Sequence, residues 1–338
     1  MNDEQAMQMA VEVAATARLR TSPNPWVGCV LVCADGQVFT GATEPPGQRH
    51  AERVAIDTAV AAGADLRGAT AYTTLEPCSH HGRTPPCTDA LIDAGVSRVV
   101  TAIVDPDPKV AGNGIAALRT AGIVCEVGVG ALNVQAQLAP YLHHRRTGRP
   151  YVLLKLAATL DGRTAAADGS SQWVTGVEAR AAAHRLRAES DAIVVGAGTV
   201  RADNPSLTTR LVDGPSPRRV VLGTAPADAA VHPCLEWTGT IDALLDHLGG
   251  EGVLQLMVEG GAAVAASFHR GGFVDRYVLY LAPALMGGDD GVAMLSGQGA
   301  LSIADIWRGN IVASRPVGDD LEVVLAPNSP APSEGHPQ

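Results

Sequence analysis

Four side chains in the first third of the chain have the types and spacing of a catalytic zinc site. His50 and Glu52 stand at the start of a predicted helix, and Cys78 and Cys87 lie in the segment PCSHHGRTPPC. Two thiolates and one imidazole are zinc ligands, and three protein ligands leave the fourth tetrahedral position for water. Zinc acidifies that water, and Glu52 can carry its proton to a ring nitrogen and to departing ammonia. The pattern predicts hydrolytic deamination, with Glu52 catalytic and His50, Cys78 and Cys87 as ligands.

This donor set with a non-ligand glutamate is typical of zinc deaminases, although their signature separates the cysteines by two residues and this chain by eight. Two other interpretations stay open, a coincidence of spacing and a closed structural zinc site, which would need a fourth ligand. The other cysteines are weak candidates for that role. Cys29 and Cys33 are ~13 Å apart on one predicted strand at ~3.3 Å per residue, and we expect them in the core. Cys125 and Cys234 are isolated and typical of buried thiols.

A second set of candidates lies in the other half, where two short loops follow predicted strands. The segment from Glu259 to Gly261 precedes a helix that starts at Ala262, and Gly196–Thr199 follows the strand DAIVV. Backbone amides at a helix N-terminus can bind an anion, and two such loops at strand ends suggest one dinucleotide crevice. Neither loop is a G-x-G-x-x-G fingerprint, so a Rossmann domain is not predicted. Plain tight turns are the alternative.

Charged residues accompany these loops. Lys155 interrupts the apolar run VLLKLA, and burying its ammonium is costly unless it meets a partner such as Asp203 or Glu259. Arg187 and Arg210 could clamp a phosphate with two parallel hydrogen bonds, although arginines on a solvated helix face are commoner. Lys155 and Asp203 are therefore candidates for a catalytic role beside these loops.

These residues must be positioned by alternating strands and helices, the pattern of an α/β fold. Strands are predicted at 27–33, 37–42, 69–74, 96–104, 123–129, 151–160, 191–198, 218–223, 254–261 and 276–285. Helices are predicted at the N-terminus and at 50–62, 132–144, 177–188 and 262–270, with another beginning after Pro85 and Pro86. The polar run HHRRTGRP suggests a domain boundary at 146/147, and the proline-rich residues 327–338 a disordered tail.

Composition narrows the class of protein. A chain of 338 residues has room for two domains, and its net charge of −10 disfavours a nucleic-acid partner. We expect no membrane span and, from six dispersed cysteines, a cytoplasmic location. Only two of the 25 basic residues are lysines, Lys109 and Lys155.

The motifs TSPNPWVGCVLV, HAE and TTLEPCSHHGRTPPC, in this order, resemble the deaminase domain of the bifunctional riboflavin-biosynthesis deaminase-reductases, a family in which the longer cysteine spacing is usual. KLAATLDGRTA, SQWVTG, VGAGTVRADNPSLTTR and VEGGAAVAASF resemble its reductase domain. The resemblance spans roughly residues 5–326. It implies a cytidine-deaminase-like α/β/α sandwich (1–146) followed by a dihydrofolate-reductase-like α/β domain (147–326), with zinc and NADPH as cofactors.

The resemblance also implies an activity and further contacts. The first domain would deaminate 2,5-diamino-6-ribosylamino-4(3H)-pyrimidinone 5′-phosphate, and the second would reduce the ribosyl group of the product to ribityl. In that reduction we expect Lys155 and Asp203, with Glu259 nearby, to hold the ribose hydroxyls and to assist proton transfer while NADPH supplies the hydride. Homo-oligomers through the reductase domain are implied as well. The implied deaminase pocket residues are Asn24, His80 and Arg83. The implied reductase substrate contacts are Lys155, Ser171, Arg187, Leu207, Arg210 and Glu259. The implied NADPH contacts are Ala157, Trp173, Thr199, Asp203, Gly261, Ala262 and Ala263.

Some positions depart from the family pattern. Thr43 stands where a histidine is usual, Asp107 replaces a common asparagine, and Asn113 a common basic residue, while the stretch 219–260 is shorter than usual. Two other functions stay open at this point. One is a deaminase of a free base, nucleoside or tRNA with an inactive or unrelated second domain, and the other is a zinc-stabilised scaffold.

Overall fold

The computed structural model describes residues 1–80, 82 and 84–328, which form two compact units. The first comprises Met1–Pro150 with Gly249–Leu254, and the second comprises Tyr151–Leu248 with the chain from Gln255 onward. The predicted functional division at 146/147 stays a prediction. Among the described residues, no helix combines the length and the hydropathy that a bilayer crossing requires.

The first unit is built on a five-stranded sheet with six helices. In chain order its elements are α1 (Asp3–Ala15), β1 (Gly28–Val32), β2 (Val38–Ala42), α2 (Ala51–Ala61), β3 (Thr70–Leu75), α3 (Cys87–Asp93), β4 (Arg98–Ile103), α4 (Asn113–Thr120), β5 (Val124–Val127), α5 (Ala131–Gln137) and α6 (Ala139–Thr147). The strand order is β2-β1-β3-β4-β5, and β3, β4 and β5 are parallel. The carboxyl ends of β3 and β4 therefore lie at the same edge of the sheet.

Two glycines show that helices cover both faces of this sheet. A Cβ on Gly28 would collide with the backbone of α1, and a Cβ on Gly41 with the backbone of α2. Gly41 pairs with Cys29, the neighbour of Gly28, so the two glycines face opposite sides of the sheet. The first unit therefore has the layered α/β/α arrangement that the resemblance implies, and Cys29 and Cys33 are buried in its core as predicted.

Local sequence explains most helix boundaries. Helix α1 begins with a capping box, in which Asn2 and Gln5 exchange side-chain-to-backbone hydrogen bonds of 2.8 and 3.1 Å. The single helix predicted over 132–144 is wrong, because the structure has two helices, α5 and α6, that meet at Leu138. Pro140 lies in the first turn of α6, where its missing N–H costs nothing, but it could not continue α5.

The second unit has a sheet of eight strands. Its elements are β6 (Tyr151–Thr159), β7 (Arg163–Ala165), α7 (Val177–Ala188), β8 (Ala192–Gly196), α8 (Ala197–Asp203), β9 (Arg218–Leu222), β10 (Leu235–Trp237), α9 (Ile241–Gly250), β11 (Gln255–Val258), α10 (Ala262–Arg270), β12 (Arg276–Ala282), β13 (Val292–Ala293), a 3-10 turn (Ile303–Asp305), β14 (Gly309–Val317) and β15 (Asp320–Pro327). The sheet order is β10-β9-β8-β11-β6-β12-β15-β14, and β7 pairs separately with β13.

Strands β8, β11 and β6 are adjacent and parallel, so their carboxyl ends lie at one edge. Leu154 pairs with Val258, which brings the following residues, Lys155 and Glu259, side by side. The turns after β8 and β11 lead into α8 and α10, in agreement with the two strand–loop–helix turns that the sequence predicts for a dinucleotide crevice. The hairpin β14–β15 was not predicted. Pro327 ends β15 rather than starting a tail, and residues 329–338 lie outside the described chain.

Candidate active sites

The structure brings the three predicted zinc ligands together. His50 caps the N-terminus of α2, Cys87 is the first residue of α3, and Cys78 follows β3. His50 Nδ1 lies 3.3 Å from Cys87 Sγ and 3.5 Å from Cys78 Sγ, and all three ligand atoms lie within 4.8 Å of one another. Two sulfurs and one imidazole at this spacing fit zinc.

The pKa shifts in this cluster suit metal binding by Cys78 and proton transfer by Glu52. A hydrogen bond from the Cys87 thiol, the largest effect, lowers the pKa of Cys78 to about 4, and its interaction with His50 acts in the same direction. Burial, and then the nearby Cys78 thiolate, raise the pKa of Glu52, whose side chain is almost fully enclosed. A carboxyl group with a raised pKa is suited to take up and release protons.

A cavity of about 370 Å³ opens beside this cluster. Its lining includes Asn24, His80, Thr43 and Glu52, while Arg83 lies outside the described residues. The Thr43 hydroxyl accepts a hydrogen bond from the Val27 backbone N–H at 3.1 Å, so it is tied to the start of β1. Asn24 and His80, the two described residues that the resemblance implies for the pocket, therefore both line it.

Glu76 is a residue whose role the sequence did not predict, although it stands in the motif TTLEPC. Its buried carboxylate accepts four hydrogen bonds from backbone N–H groups: Asp105 at 3.2 Å, Gly112 at 2.9 Å, Gly114 at 2.9 Å and Ile115 at 3.1 Å. It thereby fixes the loop after β4 and the start of α4. An acidic residue at the end of a buried strand was the available signal.

We expect Glu76→Gln to destabilise the protein by about 2–4 kcal/mol, because the amide nitrogen would face backbone donors and leave buried N–H groups unsatisfied. Chemical denaturation followed by circular dichroism measures this loss. The exposed Glu12→Gln serves as the control and should unfold like the wild type. Equal stability of Glu76→Gln and the wild type would contradict the role assigned to the carboxylate.

In the second unit, Lys155, Glu259 and Arg187 form a buried triad. Glu259 Oε1 lies 3.2 Å from Lys155 Nζ, and Arg187 donates to both carboxylate oxygens at 2.8 and 3.0 Å. Burial raises the pKa of Glu259, but the charges of Lys155 and Arg187 outweigh it, so the pKa falls to about 2. Of the two partners that the sequence left open for Lys155, the structure pairs it with Glu259. Asp203 is exposed and lines the two cavities that also contact Lys155 and Glu259.

The triad borders a cavity of about 680 Å³. The predicted substrate residues that line it are Lys155, Ser171, Arg187, Leu207, Arg210 and Glu259. His184, which the sequence did not indicate, accepts a hydrogen bond from the Arg210 backbone N–H at 2.9 Å. Burial and the charges of Arg187 and Arg210 lower the pKa of His184 to about 4, so its ring is neutral near pH 7. It holds the Arg210 loop against α7.

The predicted NADPH residues lie around the two helix N-termini. Thr199 Oγ1 accepts a hydrogen bond from the Gly261 N–H at 3.1 Å, which joins the turns after β8 and β11. A neighbouring cavity of about 370 Å³ is lined by Ala157, Thr199, Asp203, Gly261 and Ala262, among others. Trp173 is 69% exposed and lines the larger cavity, stacked on Arg180. Ala263 is exposed in the first turn of α10 and is not among the described residues that line either cavity. Backbone amides at the starts of two neighbouring helices fit a dinucleotide phosphate.

Comparison with known proteins agrees with both sites. Residues 1–103 match the model of the cytidine and deoxycytidylate deaminase zinc-binding region, and residues 150–322 match the RibD C-terminal domain. The riboflavin biosynthesis protein RibD of Bacillus amyloliquefaciens is 39% identical over 96% of this chain and 96% of its own length. The chain belongs to the RibD family. RibD of Mycobacterium tuberculosis is 40% identical over 95% of this chain and 96% of its own.

Solved RibD structures have the same fold. RibD of Acinetobacter baumannii superposes with a TM-score of 0.88 at 34% identity, covering 96% of this chain and 99% of its own. A deaminase/reductase from Thermotoga maritima superposes with the same score at 33% identity. The protein is therefore a bifunctional RibD enzyme, with a zinc-dependent deaminase half and an NADPH-dependent reductase half. The interpretations as a scaffold or as a deaminase with an unrelated second domain are wrong.

Proposed function

We propose that the first half removes the C2 amino group of 2,5-diamino-6-ribosylamino-4(3H)-pyrimidinone 5′-phosphate and that the second half reduces the ribosyl group of the product to a ribityl chain. The observation that carries this proposal is the presence in one chain of both reaction centres. One is a His-Cys-Cys cluster beside the buried Glu52, and the other is the Lys155–Glu259–Arg187 triad beside two helix N-termini.

In the deaminase half, His50, Cys78 and Cys87 would hold zinc, whose chemistry when bound is to activate water. As the water oxygen adds to C2, Glu52 would take one proton from it and deliver that proton to the ring nitrogen. Glu52 would then carry the proton of the new hydroxyl to the amino group, so that the C2–N bond breaks, ammonia leaves and a C2 carbonyl remains. Asn24 and His80 orient the pyrimidine, and we assign Arg83 to the same pocket on the resemblance alone. Enclosure of Glu52 keeps its proton exchange with solvent low.

In the reductase half, NADPH supplies a hydride when bound. The ribose ring must first open to an imine, in which the ring oxygen becomes a hydroxyl group. C1′ then takes the hydride, while the attached nitrogen takes a proton. Lys155, fixed by Glu259, together with Asp203 holds the ribose hydroxyls and assists this proton transfer. Arg187 and Arg210 bind the phosphoribosyl group with Ser171 and Leu207.

One experiment tests both halves together. The diaminopyrimidinone phosphate is supplied with NADPH, and ammonia release and NADPH oxidation are followed in the same sample. We expect ammonia to appear without NADPH, and NADPH oxidation to require prior deamination or added deaminated substrate. Absence of either activity would refute the corresponding half of the proposal.

We further propose that the protein forms homo-oligomers through the reductase half. Strand β14 lies at the edge of the eight-stranded sheet and is largely exposed, with Ile311 and Val312 accessible at 68% and 53%. The segment before it exposes Leu301 and Ile303 at 83% and 76%. An edge strand with apolar side chains is a template for pairing with a second copy.

We expect Ile311→Lys to lower the mass measured by light scattering toward that of a monomer, because a buried charge at an apolar interface is unfavourable. Leu132→Lys, at an 81% exposed position of the first unit, is the matched control and should keep the wild-type mass. An unchanged mass for Ile311→Lys would place the interface elsewhere.

A cytoplasmic location completes the proposal. All six cysteines are free in the structure, and Cys29 and Cys33 are buried without forming a disulfide. Free thiols at the zinc site need a reducing compartment.

A further inference from the structure

Several acidic side chains line the deaminase cavity. Four carboxylates line this one cavity, those of Glu52, Glu76, Asp105 and Asp107. The substrate of the proposed function carries a phosphate with a charge near −1.5 to −2 at pH 7. A cavity that takes such a substrate must therefore compensate its own negative charges.

Two of these carboxylates, those of Glu76 and Asp105, are compensated by hydrogen bonds. Glu52 belongs to the reaction centre, and Glu76 accepts four backbone hydrogen bonds as described above. The Tyr141 hydroxyl donates one hydrogen bond shared between the two carboxylate oxygens of Asp105, each at 3.1 Å, and the Asp107 N–H donates another at 2.9 Å. Burial also raises the pKa of Asp105 to about 6.

Asp107 is compensated differently, by a full positive charge. Its Oδ2 atom lies 3.4 Å from Arg145 Nε, and both side chains are about a quarter exposed, at 24% and 27%. Among the described residues that line the cavity, Arg145 is the only lysine or arginine. Among the described residues that line this cavity, Asp107 is thus the carboxylate whose charge is balanced by a cationic side chain, that of Arg145.

Arg145 is held in place by its own surroundings. Its guanidinium lies over the Tyr141 ring at 5.0 Å, and its Nη1 atom is 3.3 Å from His144 Nδ1. The buried His144 ring is in turn anchored by the Gly249 carbonyl at 3.0 Å from Nε2. The guanidinium therefore stays beside Asp107 instead of sampling solvent, since stacking and hydrogen bonding restrict its rotamers.

We propose that Arg145 is a specificity-determining positioning residue of the deaminase site, which neutralises Asp107 and so allows the cavity to accept a pyrimidine that bears a 5′-phosphate. This inference rests on the proposed function. Without Arg145, the Asp107 carboxylate would face the incoming phosphate unpaired, and like charges brought together oppose binding. The effect should appear in KM and not in the proton transfers of Glu52.

The test is a double-mutant cycle on the full-length, zinc-loaded protein, with variants Arg145→Met, Asp107→Asn and the combination. Methionine keeps an apolar stem over Tyr141 but removes the charge. Initial rates of ammonia release without NADPH give KM and kcat for the phosphorylated pyrimidine and for its dephosphorylated nucleoside. Arg145→Lys, which keeps the charge, and reductase activity with deaminated substrate and NADPH serve as controls of charge and folding.

We expect Arg145→Met to raise KM for the phosphorylated substrate about tenfold or more with little change in kcat, because an unpaired carboxylate repels the phosphate. KM for the nucleoside should stay near the wild-type value. The double variant should return to the KM of Asp107→Asn, and Arg145→Lys should stay near the wild type.

Two results would overturn the inference while leaving the proposed function intact. One is a double variant as weak as Arg145→Met, which would mean that Arg145 contacts the substrate directly. The other is an equal rise in KM for the nucleoside, which would indicate a general structural role. A wild-type protein that releases no ammonia from the phosphorylated pyrimidine would instead refute the proposed function itself, and this inference with it.

Discussion

Replacement of Glu52 by glutamine is expected to lower the rate of ammonia release by about 10²–10⁴-fold, the contribution typical of a positioned acid-base group. The amide has nearly the shape of the carboxylate but cannot take up a proton. Glu52 interacts with Cys87 but is not one of the three grouped ligands, His50, Cys78 and Cys87, so the variant should retain zinc. Loss of turnover with retention of metal is the combination that distinguishes a proton carrier from a ligand.

Ammonia release and zinc content by elemental analysis measure the two properties on the same preparation. Glu12→Gln, on the exposed side of α1, is the matched control and should leave both unchanged. Reductase activity with deaminated substrate reports that the variant is folded. If Glu52→Gln deaminated at the wild-type rate, the mechanism given above would be wrong. If the variant lost zinc, Glu52 would instead have a role in holding the zinc ligands in place.

The second large effect concerns Lys155. Lys155→Met should lower NADPH oxidation by about 10²-fold or more, because the neutral side chain can neither hold the ribose hydroxyls nor assist proton transfer. Arg187 keeps both of its hydrogen bonds to Glu259, so the carboxylate is not left unpaired and the fold should survive. Ammonia release by the first half should be unaffected.

The chain offers a natural control for this change. Lys109 is exposed in the first unit, and Lys109→Met makes the same substitution at the only other lysine. It should leave NADPH oxidation at the wild-type level. Loss of both activities in Lys155→Met, or retention of NADPH oxidation, would count against the role assigned to Lys155.

The zinc site could be predicted from the sequence because its chemistry depends on residue types that have few other uses in such a pattern. A shared zinc site requires His50, Cys78 and Cys87 to lie close together in space. Acid-base catalysis by Glu52 requires that its carboxylate is not a zinc ligand. The strands could be predicted because buried parallel strands are short apolar runs with turn residues between them. Helices α7 and α10 likewise agree with the predicted ranges.

Other features depend on pairing across distant segments, which one sequence does not contain. The choice of Glu259 over Asp203 as the partner of Lys155 follows from the register between β6 and β11. The ion pair of Asp107 with Arg145 joins the loop after β4 to the end of α6. Hairpin β14–β15 was missed because its outer strand is largely exposed and lacks a buried apolar run.

The contrast in exposure between the two lysines has a practical consequence. Lys109 is open to solvent, whereas Lys155 is 14% exposed and lines the reductase cavities. No other side chain of the 338-residue chain carries a primary amine. An acylating reagent followed by peptide mass spectrometry would therefore read out occupancy of the reductase site at a single position, with acylation of Lys109 in the same sample as the internal standard for reagent activity.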